Sequence, residues 1–369
     1  MNYVRMPIEI ESPEQIGWEN IDCNLTESSV SDMSFGDLGL ELTDLTLAYA
    51  DHLGKPELRE LIASESNELR PDDVVVTVGA AAALFIVATS LLDKDDHLVV
   101  ARPNYATNIE TPRAIGCAIS YLDLAFENGY QLDLDGLRTL ITPRTKLISL
   151  TTPHNPTGAV MSEAEIRAVA GIAEEHGCWF LLDETYRELR FGPAPPLAAA
   201  ISRRAISVSS LSKSFGLPGI RIGWVIARDK ALQESLLAAK EQIFICNSVV
   251  DEHVAWHVLN NKAKLLPGIV ARNRDALQCM KSWMAGQPDL EWVEPRGGVC
   301  CFPRIRRNAG IDTDRFYRIL NQKYRTFVGP GHWFEQDRRH FRVGYSWPKP
   351  EQLRRGLGNV SLALTEAKQ

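Results

Sequence analysis

One lysine, Lys213, lies in a run of small and hydroxyl-bearing residues between Ser207 and Trp224 (S-V-S-S-L-S-K-S-F-G-L-P-G-I-R-I-G-W). A lysine becomes a nucleophile toward carbonyl groups when burial or neighbouring cations lower its pKa, and small neighbours let a bulky ligand approach the backbone. Arg221 follows eight residues later and offers a planar, charged fork suited to phosphate. Lysine, hydroxyls and arginine together indicate a ligand that is both an aldehyde and a phosphate ester, such as pyridoxal 5'-phosphate.

The other polar candidates each follow a predicted strand. Runs of β-branched and apolar residues predict strands at 74–78, 98–101, 117–122, 146–151, 179–182, 206–209 and 222–227. Helical patterns alternate with these strands, which is typical of a mostly parallel sheet that binds ligands beyond the carboxyl ends of its strands. The clusters that follow the strands contain Gly79, Tyr105, Asn155, Asp183 and Lys213. The sequence therefore predicts one site assembled from several strand ends.

The two ends of the chain differ from this alternating part. Residues 1–45 are acidic and rich in Ser, Thr and Glu, and they predict an irregular arm that lies over the rest of the molecule. After residue 230 we expect, in order, helices at 230–245 and 250–285, strands at 290–293, 298–303 and 341–345, and helices near 312–323 and 350–365. The expected division is a large domain of residues 46–265 and a small domain of residues 1–45 and 266–369.

Composition limits the classes of function. A length of 369 residues with 45% hydrophobic and 24% charged residues is ordinary for a soluble protein of two domains. The net charge of -7 argues against nucleic acid or anionic membrane as a partner, and no apolar run approaches the roughly 20 residues that span a bilayer. Seven cysteines without a CxxC pair indicate neither a disulfide framework nor a metal site. With no signal-peptide pattern at the N-terminus, the expected location is the cytoplasm.

The assembled motifs resemble those of a known family. They are Tyr49-x-x-x-x-Gly, Asn155-Pro-x-Gly, Asp183-x-x-Tyr, Ser210-x-x-Lys with an arginine eight residues later, and a late arginine, Arg342. In this order they resemble the fold-type I pyridoxal-phosphate-dependent enzymes, and specifically the class I/II aminotransferase family. The resemblance implies a large α/β domain with a mostly parallel seven-stranded sheet between helical layers, and a smaller α+β domain.

The resemblance also implies roles around the cofactor ring. Lys213 would form the internal aldimine and move the proton between Cα and the cofactor. Asp183 would face the pyridine nitrogen, while Asn155 and Tyr186 would hydrogen-bond the phenolate oxygen. Tyr105 would stack on the ring. Taken alone, Asp183 would also suit a helix cap and Tyr105 an ordinary core position.

The phosphate and the substrate would be held by further residues. The resemblance implies that the phosphate is held by Ala80, Ala81, Ser210 and Arg221. Tyr49 would reach the phosphate of a neighbouring subunit, which implies a homodimer. Arg342, with Asn155, would bind the substrate carboxylate, although an arginine on a strand is more commonly a surface residue. The serines at 207, 209, 210, 212 and 214 are too polar for a buried strand without a ligand.

The N-terminal arm departs from the family pattern, because it lacks the usual apolar and Gly/Pro-rich approach to the substrate pocket. Its acidic residues Glu27, Asp32 and Asp37 would suit a basic or hydroxylated amino acid, and the alternative is a solvated acidic loop.

Three functions fit the sequence. The first is transfer of an amino group from an L-amino acid to a 2-oxo acid through aldimine, quinonoid and ketimine states. The second is a different reaction on the same cofactor: elimination, replacement, decarboxylation or a cyclisation like that of capreomycidine synthase. The third is a non-catalytic regulator, which the acidic charge and the absence of a helix-turn-helix pattern before residue 45 disfavour.

Overall fold

The computed structural model describes residues 1–40, 42 and 45–368. The strands are β1 (Cys23–Leu25), β2 (Val74–Val78), β3 (His97–Arg102), β4 (Ala118–Asp123), β5 (Thr145–Thr151), β6 (Trp179–Asp183), β7 (Ala205–Ser210), β8 (Ile222–Ile226), β9 (Leu290–Glu291), β10 (Cys300–Cys301), β11 (Arg304–Ile305), β12 (Thr326–Pro330) and β13 (Phe341–Gly344).

Helices cover both faces of the strands and connect them. They are α1 (Pro7–Ile10), α2 (Pro13–Ile16), α3 (Phe35–Leu38), α4 (Pro56–Ala63), α5 (Gly79–Leu91), α6 (Thr107–Ile115), α7 (Leu134–Leu140), α8 (Glu163–His176), α9 (Ala198–Ile201), α10 (Lys230–Phe244), α11 (Val249–Asn260), α12 (Lys262–Met284), α13 (Thr313–Arg318) and α14 (Pro350–Glu366). No helix among the described residues is long and apolar enough to cross a bilayer.

A seven-stranded sheet forms the centre of the fold, with the order β2-β8-β7-β6-β5-β3-β4. Only β8 runs antiparallel to its neighbours, and the other pairings are parallel. Consecutive residues of β3 face opposite sides: Val100 packs with Leu84 of α5, whereas Val99 packs with Ile166 of α8. Both faces are therefore buried, which explains the continuous apolar strands and confirms the predicted α/β architecture.

The N-terminal arm is more regular than its sequence suggested. β1 pairs in parallel with β12, and the order β1-β12-β13-β10 makes a four-stranded sheet from the two ends of the chain. The expectation of a wholly irregular arm is wrong at β1 and at its short helices. A three-residue strand leaves no readable periodicity, and its pairing with β12 is a tertiary contact that local sequence does not encode.

In the C-terminal part, three of the predicted elements have boundaries that differ from the observed ones. The predicted helix 250–285 is two helices, α11 and α12, which part at Asn261; the side-chain amide of Asn261 donates to the carbonyl of His257 (2.8 Å). The predicted strands 290–293 and 298–303 shorten to β9 and β10. In α12, Ile269 packs in a core cluster with Trp224, whereas Leu277 packs in another with Val343. The division into domains remains a prediction.

Just after β1, the arm passes close to β13 at a glycine. Gly344, the last residue of β13, lies against the backbone of Glu27, and a Cβ built on Gly344 would stand 1.7 Å from the Glu27 carbonyl oxygen. Two atoms that are not bonded to each other cannot lie at that distance. Only glycine at position 344 therefore allows residues 26–28 to lie this close to β13.

We expect Gly344→Ala to push the arm away from β13 and to lower the free energy of unfolding by about 1–3 kcal/mol, as overpacking does. Hydrogen exchange at the amides of residues 26–30 should accelerate. Gly358→Ala in α14 is the matched control, because a Cβ there meets no atom within 4 Å and alanine favours helix. Equal stability and equal exchange in the two variants would contradict the contact.

Candidate functional site

A cavity of about 180 Å³ lies at the carboxyl ends of the large sheet's strands. The predicted residues that line it are Ala80, Ala81, Tyr105, Asn155, Asp183, Tyr186, Ser210, Lys213 and Arg221. β5, β6 and β7 run in parallel side by side, so Asn155, Asp183 and Lys213, which follow or end these strands, meet at one edge. The structure therefore brings together the strand-end clusters that the sequence placed far apart.

Lys213 follows β7 and is half-buried in the wall of the cavity. Burial lowers its pKa most, Arg342 and Arg221 lower it further, and the carboxylate of Glu27 opposes them. A lowered pKa leaves more of the amine neutral at a given pH, which is the form that attacks a carbonyl carbon.

Asp183 ends β6 and uses one oxygen for local structure. Its Oδ1 accepts hydrogen bonds from the backbone N–H (3.0 Å) and the hydroxyl (2.6 Å) of Thr185. Within the described residues Oδ2 accepts none, so it is available to a donor in the cavity. Burial raises the pKa of Asp183, while the two bonds from Thr185 and the charge of Lys213 lower it. Oδ1 of Asp183 therefore stabilises a turn, and Oδ2 remains free for a ligand. The alternative role of a helix cap, which would use the side chain for local structure only, does not account for the free oxygen.

An anion site lies at the N-terminus of α5. Arg221 adopts the left-handed backbone region (φ 50) and donates to the carbonyl of Pro218 (2.8 Å). A Cβ on Gly79 would stand 2.6 Å from Arg221 Nη2, and one on Gly223 would stand 2.5 Å from the Gly79 carbonyl carbon. The two glycines thus let the guanidinium lie directly against the helix terminus, where free N–H groups and the helix dipole attract anions.

A second cationic group binds the arm. Arg342 is 3% exposed, so its reading as a surface residue is wrong. Its Nη1 donates to Asn155 Oδ1 (2.9 Å) and its Nη2 to the Thr26 carbonyl (2.6 Å), while Nε has no partner among the described residues. Tyr186 donates its hydroxyl proton to the carbonyl of Ser28 (2.9 Å). Both side chains therefore hold residues 26–28 over the cavity.

The five serines between residues 207 and 214 fall into two groups, those that bond within the protein and those that line the cavity. Ser207 accepts from the amide of Ala199 (3.0 Å), Ser214 donates to the carbonyl of Thr185 (2.9 Å), and Ser209 lies 3.5 Å from the carbonyl oxygen of Glu184. Ser210 and Ser212 line the cavity. The expectation that all five serines need a ligand is thus wrong for three of them, whose hydroxyls find partners in the protein.

Tyr49 does not join this cavity. It is 85% exposed and lies outside the cavity wall. Tyr105 both lines the cavity and packs on the apolar cluster under α5, so its two readings are compatible.

Among the arm's acidic residues, Asp37 caps α3 with Ser34, and Asp32 accepts from Trp347 Nε1 (2.9 Å). Of the three predicted carboxylates, Glu27 is the one beside the site, since its neighbour Ser28 lines the cavity and the carbonyl of Thr26 accepts from Arg342.

Sequence reasoning missed part of the cavity wall. The additional lining residues are Ser28, Leu84, Thr151, Thr185, Ser212 and Pro218. Ser212 and Pro218 lie within the lysine stretch and Thr185 lies between Asp183 and Tyr186, so adjacency to those motifs was a usable signal for them. Ser28 had none, because only tertiary contacts bring the arm to the site.

Comparison with known proteins gives the family. Residues 40–360 match the family described as "Aminotransferase class I and II". The chain is 29% identical over 350 residues to capreomycidine synthase from Streptomyces vinaceus (92% of this chain, 88% of the relative) and 30% identical over 335 residues to the arginine–pyruvate transaminase of Pseudomonas aeruginosa (86% and 82%). A solved PLP-dependent aminotransferase from Streptococcus suis superposes with a TM-score of 0.92 at 28% identity, covering 100% of both chains.

The chain therefore belongs to the class I and II aminotransferase family, and its cofactor is pyridoxal 5'-phosphate. The residues present fit that group. The cavity offers an amine of lowered pKa on Lys213, a free carboxylate oxygen on Asp183, and the anion site that Arg221 makes with α5. These three suit the aldehyde, the pyridine nitrogen and the phosphate in turn.

We expect Gly79→Ala to weaken pyridoxal phosphate binding about tenfold, or about 1.4 kcal/mol, because the added Cβ displaces the guanidinium of Arg221 from the helix terminus. Alanine at φ +76 adds backbone strain, so thermal denaturation should confirm that the variant is folded. The measurement is the dissociation constant of the cofactor, from absorbance on titration of the cofactor-free protein. Gly219→Ala is the control, since its Cβ meets nothing within 4 Å; equal affinities would place the phosphate elsewhere.

Proposed function

We propose that this enzyme transfers the amino group of an L-amino acid to a 2-oxo acid. The observation that carries the proposal is the convergence, on one cavity, of an amine, a carboxylate and a guanidinium group, those of Lys213, Asp183 and Arg221. Arg342 reaches the same site through Asn155. This set serves every need of amino transfer: a nucleophile, a ring partner, an anchor and a carboxylate clamp.

Each residue has a proposed task. Pyridoxal phosphate, when bound, supplies an electron sink for the bond that breaks at Cα. Lys213 would bind the cofactor's carbonyl carbon and, once displaced by the substrate's amine, would carry the Cα proton. Asp183 would hold the proton on the pyridine nitrogen, and Asn155 would donate to the phenolate oxygen. Tyr186 was predicted to donate there too, but its single hydroxyl proton goes to the Ser28 carbonyl in this structure, so it could do so only if the arm releases it. Tyr105 would stack on the ring.

The phosphate and the substrate have their own proposed partners. The residues that hold the phosphate are Ala80, Ala81, Ser210 and Arg221. Arg342 binds the substrate carboxylate with a bidentate fork, a geometry that lysine cannot offer. In the structure its Nη atoms face Asn155 and the Thr26 carbonyl, so the side chain is already oriented toward the cavity.

A second reaction on the same cofactor is supported by a specific comparison. The similarity to capreomycidine synthase is as extensive as that to the arginine–pyruvate transaminase. Elimination, replacement or cyclisation of a modified amino acid would use the same Lys213, Asp183 and Arg342. The two reactions differ in where the amino group goes, and that difference can be measured.

For amino transfer we expect the holoenzyme, mixed with its amino acid, to lose the absorbance of the pyridoxal form, to gain that of pyridoxamine phosphate, and to release one equivalent of 2-oxo acid. Adding a 2-oxo acid should restore the first spectrum. Release of ammonia or of a cyclised product without pyridoxamine phosphate would reject amino transfer in favour of the second reaction.

Lys213→Ala should lower the rate of this half-reaction by about 10³-fold, since it removes the proton carrier as well as the carbonyl partner. The variant should still bind the cofactor through the contacts that Arg221 makes. Lys94→Ala, at a side chain that is 77% exposed, should react at the wild-type rate. Undiminished activity in Lys213→Ala would assign the chemistry to another residue.

The proposed assembly is a homodimer, in which Tyr49 reaches the partner's phosphate. Four large apolar side chains lie exposed in two stretches that the 2.6 Å contact between His52 and Glu241 brings together: Leu47, Tyr49, Ile243 and Ile245. Exposed apolar groups that cluster in this way are typical of protein–protein interfaces.

We expect Ile243→Glu to dissociate the dimer, because it introduces a charge into a desolvated apolar contact. Light scattering after size-exclusion chromatography would give the molar mass. Leu362→Glu, at a similarly exposed leucine on α14, is the matched control and should stay dimeric. A wild-type monomer, or an unchanged mass in Ile243→Glu, would remove this surface from the assembly.

The proposed location is the cytoplasm. All seven cysteines are free, and five of them are buried thiols. Unpaired thiols are usual in reducing compartments.

A further inference from the structure

Residues 26–30 form a bridge over the site, fixed at three backbone points. The carbonyl of Thr26 accepts from Arg342 (2.6 Å), the carbonyl of Ser28 accepts from Tyr186 (2.9 Å), and the amide of Val30 donates to the carbonyl of Lys213 (3.1 Å). We call residues 26–30 the arm bridge. Glu27 lies between the first two points, with its backbone against Gly344.

Glu27 is half-buried between Thr26, whose carbonyl Arg342 binds, and Ser28, which lines the cavity. Lys213 and Arg342 are the charges that act most on it, and Glu27 in turn is the carboxylate that acts most on Lys213. Among the described residues it receives a single weak hydrogen bond, from Asn24 Nδ2 at 3.4 Å. Its Oε2 accepts no hydrogen bond from the described residues, so that oxygen is available to a ligand.

Ligand binding removes both of these cations as partners. In the loaded site Lys213 would be occupied by the cofactor's carbonyl carbon or, once released, by the Cα proton, and a substrate carboxylate would neutralise Arg342. Arg221 would be occupied by the phosphate and Asp183 by the pyridine nitrogen. A half-buried carboxylate is stabilised by a cationic partner, so the loaded site favours a substrate that brings one to Glu27.

We propose that Glu27 binds a cationic group on the substrate side chain, so that this enzyme takes amino acids with a guanidinium or ammonium group. The inference rests on the proposed function, in that it uses the placement of the substrate's amino group at Lys213 and of its carboxylate at Arg342. Asp32 and Asp37 do not serve this purpose, since each is engaged elsewhere on the arm.

Matched amino acids test the charge alone. L-Arginine and L-citrulline have the same length and shape but differ in the side-chain charge, and L-lysine and L-norleucine form a second pair. The measurement is the apparent dissociation constant from the change in cofactor absorbance as each amino acid is added to the holoenzyme. We expect the charged member of at least one pair to bind about tenfold to 100-fold more tightly than its neutral partner.

Glu27→Gln should abolish that preference by weakening the charged ligand, with the neutral ligand changed less than about twofold. Glu27→Asp, which keeps the charge but withdraws it by one methylene, should retain part of the preference and serves as the second variant if Glu27→Gln does not fold. Asp37→Asn, which keeps the cap of α3, should behave as wild type. No preference in the wild type, or a preference that survives Glu27→Gln, would overturn the proposal.

The members of each pair undergo the same reaction, so the ratio of their apparent affinities reports the side-chain charge whichever reaction follows binding. An enzyme that eliminates or cyclises its substrate would fail the amino-transfer test and still show the preference for a charged side chain. An aminotransferase for neutral substrates would pass the first test and fail this one. The two proposals can therefore fail separately.

Discussion

Three cationic side chains, Lys213, Arg221 and Arg342, are gathered at one cavity, and the surrounding structure is shaped by the need to compensate them. Arg342 is buried, Lys213 is half-buried and Arg221 is exposed, so the need for facing dipoles and anions is greatest at Arg342 and Lys213. The protein supplies carbonyl oxygens to Arg221 and Arg342 and the carboxylates of Asp183 and Glu27 to Lys213. The positive charge that these groups leave uncompensated attracts an anionic cofactor and an anionic substrate.

The parallel sheet makes that concentration of charge possible. Strands buried on both faces carry their charged residues at or near their ends, and parallel pairing puts the carboxyl ends on the same side. Gly79 and Gly223 then remove the Cβ atoms that would separate Arg221 from α5. The buried sheet thus determines where the charged residues lie. Gly79 and Gly223, which have no side chains, determine how closely Arg221 approaches the N-terminus of α5.

The sequence predicted the parts of the site that have local signals. Lys213, Asp183 and Arg221 each follow or lie near an apolar strand, and that pattern is readable without a structure. Ser28, the pairing of β1 with β12 and the proximity of Glu27 to Lys213 were not readable, because each depends on contacts between residues far apart in the chain. The break at Asn261 was missed for a different reason: α11 ends at Asn260 and α12 begins at Lys262, with no glycine or proline between them to mark the boundary.

The arm bridge has a consequence for the way the molecule is made. Its partners are Tyr186, 158 residues further along, and Arg342, 316 residues beyond Thr26. Because synthesis proceeds from the N-terminus, residues 26–30 leave the ribosome long before β12, β13 and Arg342, which hold them, have been made. The large sheet can form earlier, from strands that are closer in sequence. The arm bridge can therefore take its place over the cavity only after Arg342 has been translated, so the binding site is completed late in folding.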